Sequence, residues 1–234
     1  MSDRFVLVHG AWHGGWCWRR VAPLLRDAGH EVFTPTLTGL GERAHLLGPD
    51  VGPDTHVQDV VGVLDAEELT DVVLVGHSFG ALVALAVAGR TPERVRRVVL
   101  LDGLVVEPGQ VGYDGLPPEA AAARRDAAEA TGDTAFPPPG GAAFGLADPE
   151  DIAWVERRLT PHPVRTYAEP FPLARPLGGG RPVTYVACTD PAYPAVHSAH
   201  AIARREGWAF RELASGHDAM VAAPEATAEL LMSS

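Results

Sequence analysis

Three residues with the chemistry for acyl transfer stand far apart in this chain: Ser78, Asp190 and His217. Ser78 lies in Gly76-His77-Ser78-Phe79-Gly80, a G-x-S-x-G pattern. The apolar run Val72-Val73-Leu74-Val75 precedes it, and a second apolar run, 81–89, follows at once. That context places the serine on a strand-to-helix turn so tight that only glycines leave room on either side. A serine hydroxyl is a weak nucleophile at its own pKa and needs a base within hydrogen-bond reach. His217, between Gly216 and Asp218, is the candidate base, because imidazole titrates near neutrality. Asp190, in Cys188-Thr189-Asp190-Pro191, is the preferred acid to hold the other ring nitrogen, and Asp102, one strand earlier, is its rival. Attack on a carbonyl creates an oxyanion. The backbone N–H groups of Phe79 and of Ala11 are the expected donors to it, each worth about 3 kcal/mol in a transition state. This chemistry requires neither a metal nor an organic cofactor.

The elements that must carry these residues follow from hydrophobic periodicity. Residues 5–9 read as a first strand, followed by the Gly-rich segment Gly10-Ala11-Trp12-His13-Gly14-Gly15-Trp16, whose N–H groups can face a ligand. It lacks a phosphate-loop ending and the G-x-G-x-x-G pattern. Helices are expected over 18–28 and 56–69, and strands over 31–35, 72–75, 95–101, 182–187 and 208–213. Two further helices, one over 195–206 and one at the end of the chain, complete an alternation that argues for a parallel sheet covered on both faces. Residues 104–180 break the rhythm with prolines and glycines, and carry helical patterns at 118–130 and 148–159. A structureless loop of that length is improbable in a compact domain, so this stretch reads as a cap, with Gly178-Gly179-Gly180 as the hinge. Within it, 131–145 reads as disordered. The expected organisation is a core of 1–103 and 181–234 with a cap of 104–180. Ligands of open parallel sheets sit beyond the carboxyl ends of the strands, and every candidate falls there, in the order Ser, Asp, His.

The remaining residues read mostly as structural. His77 is read as shaping the turn and His9 as fixing the Gly-rich loop. Trp12, His13 and Trp154 are candidates to line a substrate pocket. Asp218 is read as a surface residue or helix N-cap, because a direct chain neighbour of the base rarely orients it. The arginine pairs 96–97, 124–125, 157–158 and 204–205 are read as solvated faces. Cys17 and Cys188 are expected to be free core thiols.

The totals exclude several classes. The 234 residues suit one α/β domain or a core plus cap. A net charge of −11 argues against nucleic acid and anionic membranes as partners. All 19 basic residues are arginine. No apolar stretch approaches the ~20 residues that span a bilayer. Residues 1–4 pass directly into the first strand without an apolar leader core, so a cytoplasmic location is expected. The sequence leaves a homodimer open.

Phe5-Val6-Leu7-Val8-His9-Gly10-Ala11-Trp12-His13-Gly14-Gly15-Trp16, Val73-Leu74-Val75-Gly76-His77-Ser78-Phe79-Gly80 and Gly216-His217-Asp218-Ala219-Met220 resemble the α/β-hydrolases of the plant esterase and hydroxynitrile-lyase branch. Cys188-Thr189-Asp190 is similar to that branch's acid segment, which commonly carries one more residue before the Asp. Asp148-Pro149-Glu150-Asp151-Ile152-Ala153 is similar to its cap helix. The resemblance covers most of the chain outside 107–146. It implies an α/β-hydrolase fold: a mostly parallel sheet of about six strands, helices on both faces and an inserted, mainly helical cap. It also implies Ser78, Asp190 and His217 as the triad, with Ala11 and Phe79 as oxyanion donors. Lyases of the branch typically carry Thr where this chain has Gly10, and Lys where it has Asp218. The departure favours a serine-dependent carboxylic ester hydrolase for small apolar or aromatic esters. The rivals are a natural-product thioesterase, lactonase or cyclase with the same triad, and a ligand receptor with little turnover.

Overall fold

The computed structural model describes residues 2–132 and 134–234. Six strands form one sheet: β1 (Arg4–Val8), β2 (Glu31–Phe33), β3 (Val72–His77), β4 (Val95–Leu101), β7 (Val183–Cys188) and β8 (Ala209–Leu213). Their order is β2-β1-β3-β4-β7-β8, and every pairing in the sheet is parallel. The chain starts near the centre, adds β2 on one side, crosses over β1 and builds outward on the other. Its switch point lies between β1 and β3, where ligands of open sheets are expected.

The sequence explains the central strands. β3 is buried at all six positions, so its Val-rich run faces packed side chains on both sides of the sheet. Burying each Val or Leu contributes about 1.5–3 kcal/mol. Around the sheet pack α1 (Val21–Asp27), α2 (Pro53–Ala66) and α3 (Gly80–Arg90), with α7 (Ser198–Arg205), α8 (Ala219–Ala222) and α9 (Pro224–Ser233). α3 is buried from Gly80 through Ala88, because it lies against the sheet beneath residues 177–180 and beside α2. Gly178, Gly179 and Gly180 all have positive φ, which suits the sharp return expected there.

Residues 104–180 carry α4 (Pro118–Glu129), α5 (Pro149–Glu156), α6 (Arg165–Ala168) and a small antiparallel pair, β5 (Ala135–Phe136) with β6 (His162–Pro163). The sequence predicts disorder over 131–145. That stretch instead holds β5 and a 3-10 turn, Gly141–Phe144. Phe136 and Phe144 explain the difference: both are buried against the ring of Trp12, at centroid distances of 5.6 and 5.9 Å. Asp133, in the same stretch, lies outside the described residues. Among the described residues no helix is long and apolar enough to cross a membrane. Cys17 and Cys188 are free and buried, as expected.

Candidate active site

The turn after β3 is built by close approach. A Cβ on Gly80 would lie 2.5 Å from the His9 carbonyl oxygen, and one on Gly76 would lie 2.5 Å from the Gly80 carbonyl oxygen. Side chains at either position would push the turn off β1 or off the start of α3. Ser78 itself sits at φ 52°, in the left-handed region. Its carbonyl accepts from the N–H groups of Ala81 (3.1 Å) and Leu104 (2.9 Å), which hold that conformation. Of the five described non-glycine residues with positive φ, three are Trp12, Ser78 and Asp102, at the ends of β1, β3 and β4. Such strain persists where surrounding structure over-determines it, and it clusters at functional sites.

His217 bridges two of these strand ends. Its Nε2 lies 2.9 Å from Ser78 Oγ, and its Nδ1 lies 2.6 Å from Asp102 Oδ2. An ionised carboxylate only accepts, so Nδ1 carries the proton and Nε2 presents its lone pair to the serine hydroxyl. Asp102 is 1 % exposed, and its second oxygen accepts the Cys188 N–H at 3.1 Å.

The carboxylate that reaches His217 is therefore that of Asp102 and not that of the expected Asp190. The sheet register gives the reason. Leu101 of β4 pairs with His77 of β3, so the residue following each strand, Asp102 and Ser78, emerges side by side. The Asp102 N–H is anchored on the Val186 carbonyl and the Ser78 N–H on the Leu101 carbonyl. Asp190 lies two residues beyond β7 and is exposed, with its N–H on the Ser215 carbonyl. It does not reach His217.

Buried imidazoles brace the three loops. The Leu37 N–H donates to His9 Nε2 (3.0 Å), so His9 Nδ1 carries the proton and donates to the Gly10 carbonyl (2.8 Å). That bond orients the Gly10–Ala11 peptide. Burial pulls the His9 pKa down to about 3, which keeps it neutral. His77 Nε2–H donates to the His217 carbonyl at 3.0 Å, tying the turn to the base loop. The cap secures the next peptide: the Trp12 N–H donates to His162 Nδ1 (3.3 Å), and the Trp12 carbonyl accepts from the Thr160 N–H (3.0 Å).

His13 and Asp218 are also placed differently from expectation. Asp218 occupies the position before α8 but makes no side-chain cap bond, and it is fully buried rather than on the surface. Its Oδ2 lies 3.0 Å from His13 Nε2, while His13 Nδ1 lies 2.8 Å from the Ala11 carbonyl. Both ring nitrogens thus face oxygens, an arrangement that suits a doubly protonated imidazolium beside an ionised carboxylate. Burial opposes both charges, but the pair outweighs it: His13 is raised and Asp218 lowered from their usual values. His13 is 1 % exposed and so does not line the pocket; it ties the Ala11 loop to the base loop.

Because the His13 pKa is raised on folding, its stabilisation is complete below about pH 6.5 and is lost as pH rises through the raised value. The lowered Asp218 contributes above about pH 3.9 and is lost as pH falls. The pair is therefore fully effective between those limits. We expect Asp218→Asn to destabilise the fold by about 3 kcal/mol in urea unfolding near pH 6, since it strands a buried charge. An unchanged midpoint there would refute the pairing.

A cavity of about 290 Å³ is lined by Trp12, Arg124, Phe136, the Pro137–Pro139 run and Tyr193, and Tyr193 connects it to His217. Trp12 is in place as expected. Tyr193 escaped the sequence reading: its ring centroid lies 4.0 Å from that of His217. No motif marks it, because it reaches the base only when residues 190–196 wrap over the end of β7. Trp154 is not at this cavity. It packs against Trp16 and lies under the guanidinium groups of Arg20 and Arg158. Among the described residues no cluster suited to holding a metal ion is present.

Known proteins share this arrangement of chain. The alpha/beta hydrolase family model matches residues 5–230. A carbendazim hydrolyzing esterase from Nocardioides sp. is 42 % identical over 97 % of this chain and 97 % of its own. Methylesterase 1 of Arabidopsis thaliana is 37 % identical over 43 % of this chain and 39 % of its own length. Among solved structures, an extracellular alpha/beta-hydrolase from a Paenibacillus species superposes with a TM-score of 0.86 at 25 % identity, covering 99 % of this chain and 98 % of the other. That hydrolase is described as sharing structural and functional homology with tobacco salicylic acid binding protein 2.

Proposed function

From the premise that this chain belongs to the alpha/beta hydrolase family, we propose that it is a serine-dependent carboxylic ester hydrolase acting on small aromatic or apolar esters. The observation that carries this is the continuous hydrogen-bonded series Ser78–His217–Asp102, with the His217 ring against Tyr193 of an aromatic-lined cavity. His217 Nε2 takes the Ser78 proton as Oγ attacks the ester carbonyl. The tetrahedral oxyanion lies against the N–H groups of Ala11 and Phe79. The Ala11 donor is held by the His9 bond to the Gly10 carbonyl. The imidazolium returns its proton to the leaving alkoxide, which departs as alcohol and leaves an acyl-serine. Water then attacks that ester with His217 again as base, releasing the acid.

The relatives support an ester substrate. The Nocardioides protein carries an esterase name across nearly its whole length, and the partial match in Arabidopsis is a methylesterase. Carbendazim belongs in the first substrate panel. The site also disfavours cyanohydrin cleavage. A Cβ at Gly10 would lie 2.9 Å from Ser78 Cβ, so a threonine there would crowd the nucleophile. Asp218 is committed to His13.

The test is covalent labelling with a fluorophosphonate followed by peptide mapping, beside a series of p-nitrophenyl esters. Label on Ser78 alone, with ester turnover, is the expected result. Folded protein that takes no label would refute the proposal. A mandelonitrile assay should show cyanide release no faster than the uncatalysed background.

A further inference from the structure

The cap places one guanidinium where a solvated face was expected. Arg124 lies on α4, and its Cζ stands 4.9 Å from the Trp12 ring centroid and 5.0 Å from that of Tyr167. Its Nη1 is shielded from solvent and has no hydrogen-bond partner. Arg20, Arg43, Arg90 and Arg94 each have a carboxylate within 4 Å, but among the described residues Arg124 has none. The guanidinium's charge and its hydrogen bonds to the two phenols counter the upward push that burial gives Tyr167 and Tyr193, while Nη1 stays unpartnered.

The cavity that contains Arg124 connects it to the chemistry. Trp12 follows Ala11 in the chain, and the Tyr193 ring lies on His217; both line the same space as Arg124. Aromatic walls accept a flat ring. Beyond them stands a cation whose shielded Nη1 has N–H groups free to donate to an anionic oxygen, a charge-assisted bond. The chain's net charge of −11 makes this cation a local exception and not part of a general basic surface.

We propose that Arg124 is a specificity residue that binds an anionic oxygen on the substrate, so that the preferred esters are aromatic esters bearing a carboxylate. The proposal rests on the ester hydrolase reading above and names its substrate class. The guanidinium donates to the carboxylate while the ring lies among Trp12, Phe136 and Tyr193, and the ester carbonyl reaches Ser78. Trp12 and Tyr167 hold the guanidinium in place before substrate arrives, which limits the ordering needed on binding.

The experiment compares kcat/KM for the three monomethyl benzenedicarboxylates with that for the matching methyl toluates, their neutral near-isosteres. The wild-type protein should favour at least one anionic isomer by about tenfold or more. Arg124→Met should erase that preference, and Arg124→Lys should retain part of it because it keeps the charge without the planar fork. A preference that is the same in wild type and Arg124→Met, or absent from wild type, overturns the proposal. Binding of the same monoesters to Ser78→Ala, and to Ser78→Ala with Arg124→Met, read by tryptophan fluorescence, separates the two levels of inference. If no ester is turned over but binding depends on Arg124, the anion site stands and the hydrolase reading falls. If esters are turned over but binding ignores Arg124, the anion site falls alone.

Discussion

Ser78→Ala is expected to lower kcat for ester hydrolysis by about 10⁴–10⁶-fold while the fold stays intact. The size of the effect follows from covalency. Without Oγ no acyl-enzyme forms, and what remains is water attack assisted by the oxyanion donors and by substrate positioning, which together leave about 10³–10⁴ of rate over water. Ser78 is half-buried and its left-handed backbone is held by bonds to its own carbonyl, so loss of one hydroxyl disturbs little packing. Thermal unfolding should therefore barely move, and KM should change far less than kcat. Full activity in Ser78→Ala would remove the nucleophile from the scheme.

Asp102→Asn is expected to cost about 10⁴ in kcat, and Asp190→Asn close to nothing. The asymmetry comes from the hydrogen-bond pattern around Asp102. One oxygen accepts the Cys188 N–H at 3.1 Å, so the other must accept from His217 Nδ1 at 2.6 Å. In the asparagine variant the Cys188 N–H still demands an acceptor. The amide oxygen stays on that side and the NH₂ group turns to His217. The ring must then accept at Nδ1 and carry its proton at Nε2, where it faces Ser78 Oγ and cannot take the hydroxyl proton. Asp190 is exposed and two residues past its strand, so its amide should be silent. The reverse result would restore Asp190 as the acid.

The positions of Ser78 and His217 were legible because their signals are local. A Val-rich run, two glycines and an apolar helix specify a strand-turn-helix without reference to anything distant. The alternation of strands and helices likewise announced the parallel sheet, since a continuous apolar run of strand length is stable only when covered on both faces. His9 and His77 were correctly read as bracing residues, and the structure supplies their partners, the Gly10 and His217 carbonyls. In the cap, 131–145 misled because its ordering comes from Phe136 and Phe144 packing on Trp12, a contact spanning more than a hundred residues that no local pattern encodes.

By itself the sequence determined the fold class and pointed to Ser78, His217 and the loop beside them, because each is written in short-range spacing. Tertiary structure alone decided which carboxylate faces His217. Asp102 and Asp190 both end up beyond strands of the same sheet, and composition does not separate them. The register that sets Leu101 against His77 brings Asp102 next to Ser78, and burial leaves its carboxylate facing His217. The same long-range assembly drew His13 and Asp218 into a buried ion pair and turned Arg124 from an apparent surface residue into the cation of the cavity. A side chain's charge is a property of the sequence, but the groups that answer it are chosen by the fold.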